Sequence, residues 1–155
     1  MNWALEPEPS DRTTGTIVRA DAKADIALVR AAGLTPAGVA RPGAPVRVGD
    51  TLILLDDQGG RLPVVGIEVT VTASSHTCSR AGSTARPKGF AFTLPVATAE
   101  PGAALVRADG TVVGMYYGGD DATHHCAIPI ADVVDLARGV QPSDSRAAGS
   151  RSGSR

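Results

Sequence analysis

Aromatic residues are nearly missing from this chain: two Phe, two Tyr and one Trp in 155 residues. So thin a supply excludes the stacked aromatic platform on which single-stranded nucleic acid binds. An excess of either charge is missing too. Fifteen Lys and Arg against sixteen Asp and Glu leave a net charge of −1, which predicts no electrostatic pull toward nucleic acid or an anionic membrane surface. No apolar run approaches the roughly 20 residues that span a bilayer. The longest candidates, Thr51–Leu55 and Leu62–Ile67, are strand-sized. The first nine residues, Met1 to Pro9, are acidic and proline-broken, so they do not read as a signal peptide. A cytoplasmic home is the default expectation, with secretion open if sequence precedes Met1.

Cysteine is also scarce. Cys78 and Cys126 are the whole supply, too few for an all-cysteine zinc site and too far apart for a Cys-x-x-Cys redox motif. In a reducing compartment they are expected as two thiols packed like small apolar residues. A disulfide stays open for an oxidising one.

What is present is Ala, Gly, Val and Arg in quantity, the usage of a high-GC bacterial gene. The length suits one domain that buries roughly 70% of its unfolded surface. Residues 1–13 read as a loose leader, 14–139 as the folded domain and 140–155 as a disordered tail. Within the domain the pattern is of short strands. Thr14–Ala20 and Asp25–Arg30 are expected to pair as a hairpin. Ala31–Asp50 carries Pro36, Pro42 and Pro45 and reads as an extended linker. Strands follow at Thr51–Leu55 and Arg61–Ala73, the second with a bulge expected at Gly66. Ser74–Lys88 reads as an exposed loop. Further strands are expected at Gly89–Leu94, Leu105–Val106, Thr111–Tyr117 and Thr123–Ile130. Asp109-Gly110 suits a type I′ hairpin turn, and Gly118 to Asp121 another turn. Ala131–Arg138 has the apolar spacing of a helix, with Gly139 as its stop. The sum is an all-β barrel or sandwich with a C-terminal helix.

Six pieces in order give a family resemblance. Asp25-Ile26-Ala27-Leu28-Val29-Arg30, Val48-Gly49-Asp50, the strand from Phe90, Leu105-Val106, Asp109-Gly110 with Val112-Val113-Gly114, and Ala127-Ile128-Pro129-Ile130 followed by a helix all match. The order resembles trypsin-like serine peptidases of the high-temperature-requirement type. It implies a chymotrypsin-like β-barrel, equivalent to the second barrel of that fold, with a remnant of the first. Asp25 then takes the place of the triad acid. Setting Leu105-Val106 on the family's Leu-Val puts Pro101 at the nucleophile position and Ala99 at a glycine of the oxyanion hole. No His precedes Asp25. The triad needs a nucleophile, a base and an orienting acid, and the oxyanion hole needs backbone N–H groups. Pro101 offers neither a hydroxyl nor an N–H. Ser83, the nearest other serine of Gly-x-Ser type, lacks the apolar hairpin after it and reads as an exposed loop residue.

Three functional readings follow. The first is a pseudoprotease acting as a binding or regulatory module for a peptide or protein partner. Asp25 is then vestigial, capping its turn or pairing with Lys23, and Tyr116-Tyr117 forms an exposed edge that receives a peptide by strand addition. The second is part of an active endopeptidase whose His and Ser come from another segment or chain. The third is a metal-stabilised domain in which His76, Cys78, His124 and Cys126 make a His₂Cys₂ zinc set, His125 facing away. The leading reading calls for no cofactor and no metal.

Overall fold

The computed structural model describes residues 15–31, 38–56, 64–95, 99–119, 124–138 and 140. The expected leader, nearly all of the tail, Thr14, the Asp57–Gly60 turn, the start of the long strand at 61–63, Asp120-Asp121 and the Gly139 stop lie outside the described residues.

Six strands close into a barrel: β3 (Thr51–Asp56), β4 (Val65–Thr77), β5 (Lys88–Thr93), β6 (Ala104–Val106), β7 (Val112–Gly119) and β8 (His125–Pro129), in the order β3-β4-β5-β8-β7-β6. All neighbours are antiparallel, and β3 meets β6 through Ile53↔Val106, Leu54↔Leu105 and Leu55↔Ala104 to complete the ring. Closure leaves no edge strand in the barrel. The period-2 pattern explains the core. Leu52, Leu54, Val69, Val71, Phe90, Phe92, Leu105, Val113 and Tyr116 point inward and are buried. Full burial of each large side chain contributes roughly 1.5–3 kcal/mol.

A second apolar cluster lies outside the barrel. Ile26, Cys78, Tyr117, Cys126 and Ile128 pack there beneath Val133 and Leu136 of α1 (Ile130–Ala137). Pro129 at the helix N-cap has extended backbone, and Arg138 follows the last turn with its N–H on the Val134 and Asp135 carbonyls. The β1–β2 hairpin (Gly15–Asp21 and Ile26–Ala31) forms its own two-stranded sheet. Ile26 anchors it in the second cluster, and Arg19 Nη1 donates to the Arg138 carbonyl at 2.9 Å.

The chymotrypsin-like fold class expected above is present: a mainly β chain, a closed antiparallel barrel and a C-terminal helix. Local details differ. Asp109-Gly110 is not type I′, because Gly110 has positive φ and Asp109 does not. Gly110 N–H bonds the Arg107 carbonyl, Arg107 N–H bonds the Thr111 carbonyl, and Asp109 Oδ1 takes the Thr111 N–H and hydroxyl. This is a type I turn closed by a left-handed glycine. The bulges of β4 fall at Val71/Ala73 and Ala73/His76, while Gly66 pairs regularly with Leu55. Ser74–Thr77 continue β4 rather than opening a loop, and Gly118 and Gly119 belong to β7 rather than to a turn.

The two cysteines are not free thiols. Cys78 and Cys126 form a disulfide, with Cα atoms 5.5 Å apart, between the end of β4 and the start of β8. A glycine is required beside it. A Cβ at Gly89 would run into the Ala127 carbonyl and lie 2.7 Å from Cys78 Sγ. This bond also removes the zinc set, since its two thiols are spent on each other. Among the described residues no three His, Cys, Asp or Glu side chains gather to hold a metal, and no helix is long and apolar enough to cross a membrane.

Candidate functional site

Asp25 closes the β1–β2 turn in an unusual backbone. Asp21 Oδ1 accepts the Lys23 and Ala24 N–H groups at 2.8 and 3.2 Å, so Asp21 is the residue that caps the turn. Asp25 then sits at φ 55°, the one non-glycine residue with positive φ among those described. Asp tolerates the left-handed region better than most side chains. Its carboxylate does not pair with Lys23. It accepts a hydrogen bond from Arg80 Nη2 at 3.1 Å, the two side chains being 41% and 37% exposed.

Arg80 follows the disulfide by two residues and is held from three sides. Its guanidinium carbon lies 5.1 Å from the centre of the Tyr117 ring, a cation–π arrangement. Its aliphatic stem crosses Gly118, where a Cβ would stand 2.9 Å from Cγ and Cδ. Its carbonyl accepts the Ser83 N–H, closing a turn with Gly82 in the left-handed region. Tyr117 Oη donates within this loop, with Ser83 Oγ at 3.0 Å and the Ala85 carbonyl at 3.2 Å. Ser83 is thus half-buried and occupied in the loop, not the exposed serine expected.

Pro101 faces this group across a small cleft. Asp25, Arg80, Pro101 and Gly102 line the same hollow of about 240 Å³, with Met115, Tyr116, Tyr117 and Ile128. Pro101 and Gly102 are the central residues of a turn whose ends are tied by the Ala103 N–H on the Glu100 carbonyl. With proline second and a glycine at φ 101° third, it is a type II turn. The amides of this turn are accounted for. Glu100 N–H points at Asp56 Oδ1 at 3.5 Å, Pro101 has none, Gly102 bonds the Tyr116 carbonyl at 2.8 Å and Ala103 bonds Glu100 at 3.1 Å. Ala99 is half-buried against the barrel core.

The expected tyrosine edge does not exist. Tyr116 and Tyr117 are 5% and 3% exposed, on a strand flanked by β6 and β8. Neighbours on a strand face opposite ways. Tyr116 enters the barrel, and Tyr117, at a bulge against β8, enters the outer cluster. Tyr116 Oη meets the buried His125 Nδ1 at 2.9 Å, and burial pushes the phenol above its ordinary pKa. His125, expected to face away from any site, is thereby part of the inner core beside Phe92. His124 is exposed and His76 half-buried.

Asp25 and Pro101, both singled out from the sequence, line this hollow with Arg80, which the sequence reading missed. The cysteines carried the signal. A bond between Cys78 and Cys126 sets the Arg80 loop against β8, and β8 pairs with Gly118 at Cys126.

Neither a protein-family model nor a curated protein matches the sequence. Solved structures do match the fold. The Mycobacterium tuberculosis H37Rv protease Rv3671c in an inactive mutant form superposes with a TM-score of 0.63 at 18% identity, over 88% of this chain and 68% of that one. The active form of the M. tuberculosis protease gives 0.64 at 19%, over 81% and 57%. The MamO protease domain of Magnetospirillum magneticum gives 0.61 at 16%, over 78% and 66%. This chain therefore spans between 57% and 68% of the lengths of these three structures. An HtrA-type protease, AlgW, solved with a tripeptide, aligns at a TM-score of 0.63 and 17% identity, over 78% of this chain and 41% of AlgW. The closed six-stranded barrel, the C-terminal helix and these superpositions together give the chain the chymotrypsin-like fold of HtrA-type serine proteases.

Proposed function

We propose that this chain is a non-catalytic member of that fold, serving as a binding or regulatory module for a peptide or protein partner. The observation that carries the reading is the turn at Pro101. The position facing Asp25 offers no hydroxyl, and every amide from Glu100 to Ala103 is either missing or directed at a protein oxygen. Acyl transfer needs donors aimed at the developing oxyanion, and losing one such donor costs about 10²–10³ in rate. Asp25 likewise faces a guanidinium, which cannot accept a proton. A serine and a histidine supplied by another segment would meet the same occupied amides, so the split-enzyme reading has less support. The Cys78–Cys126 bond favours an oxidising compartment over the cytoplasmic default.

The test is labelling with a fluorophosphonate probe alongside hydrolysis of casein. Neither reaction is expected above a buffer control. Stoichiometric labelling, or cleavage that survives repurification, overturns the proposal.

A further inference from the structure

We propose that the cleft between Arg80 and Pro101 binds the C-terminal carboxylate of a peptide whose last side chain is apolar. The inference rests on the reading of the chain as a binding module and names the chemistry of its ligand.

Arg80 carries the argument. Asp25 engages a single guanidinium nitrogen, Nη2, so other N–H donors of the fork remain for a second carboxylate. A planar guanidinium recognises carboxylates through paired parallel bonds, and an Arg bridging two of them is well suited to this. The side chain is also preorganised. Stacking on Tyr117, the glycine under its stem and the disulfide two residues away fix where the fork stands before any ligand arrives. Preorganisation lowers the ordering cost of binding. Asp25 is the one non-glycine residue of the described chain in the left-handed region, a backbone found at ligand clamps as well as in turns.

The rest of the cleft selects the ligand. Asp25 already offsets the Arg80 charge, which opposes a phosphate dianion more strongly than a single carboxylate. Met115, Ile128 and Pro101 give apolar wall beside the charged pair. About 240 Å³ is below the range of roughly 300–1,000 Å³ that holds a drug-sized ligand. It has room for a chain terminus.

The experiment uses the full chain and a fluorescein-labelled glycine-serine hexapeptide ending in leucine, followed by fluorescence anisotropy. The free acid is expected to bind about tenfold or more tightly than the same peptide amidated, the usual effect of a charged hydrogen bond. Arg80→Gln should abolish that preference, Arg80→Lys should retain part of it, and Asp25→Asn should tighten the acid form. Unchanged circular dichroism and melting show that the variants fold. N-acetyl-leucine should compete at least tenfold less well than the peptide. Equal binding of acid and amide, a preference that survives Arg80→Gln, or no binding of any arm at millimolar peptide overturns the carboxylate site. Equal competition by N-acetyl-leucine overturns the peptide as its ligand. None of these results touches the non-catalytic reading, which stands or falls on probe labelling and casein hydrolysis.

Discussion

Every strand of the barrel has a partner on each side, and inward residues such as Leu54, Phe92, Leu105 and Ala127 are fully buried. The β1–β2 hairpin pairs only with itself among the described residues. Ile17 and Val29, partners across it, are 65% and 53% exposed. A lone two-stranded sheet is marginal in water, so the hairpin's order depends on what it borrows: Ile26 in the outer cluster, Arg19 on the end of α1 and Asp25 on Arg80. The barrel holds itself together and the hairpin is held. One wall of the cleft comes from each.

Core truncation separates the two regions most sharply. Phe92→Ala should cost about 3–5 kcal/mol, with Val29→Ala within about 0.5 kcal/mol of wild type. Urea denaturation reads both, and a comparable loss from Val29→Ala would mean that the hairpin face is packed. The next effect comes from the disulfide, which closes a long loop between residues 48 apart. Its reduction should remove about 2–4 kcal/mol. The Asp25–Arg80 pair should also weaken, because the Arg80 loop hangs from Cys78. Free-thiol counts on protein taken from its native host, with melting before and after reductant, check this.

The smallest effect concerns acid. Asp50 accepts the Arg47 N–H and an ion-paired Arg107 bond, which hold its carboxyl below the usual range. Since the folded value is the lower one, this stabilisation is complete above the unfolded value of about 3.9 and fades as pH falls through the folded value. Asp50→Asn should therefore flatten the acid limb of stability below pH 4 and leave the neutral limb with its shape intact. An unchanged acid limb would remove Asp50 from the account.

Sequence pattern revealed the barrel where inward residues alternate cleanly, as Phe90 and Phe92 do on β5 with Leu94 just beyond it. It misread Tyr116-Tyr117 and His125-Cys126 because there both faces of the strand are buried, one by the barrel and one by α1 with Ile26. Alternation vanishes where two cores share a strand, and a doubly buried pair looks like an exposed platform. The cleft was half legible. Asp25 and Pro101 stood at matching places in a familiar order, whereas Arg80 lies in a stretch with no periodicity. Its position is set by a covalent bond that spacing alone does not reveal.

The Pro-Gly turn at 101–102 could not be turned into an oxyanion hole by a single codon change. A serine at position 101 would supply an oxygen and an N–H. Gly102 would still be committed to Tyr116 and Ala103 to Glu100. Freeing those amides would mean rebuilding the turn, so hydrolytic chemistry at this hollow lies several substitutions away rather than one.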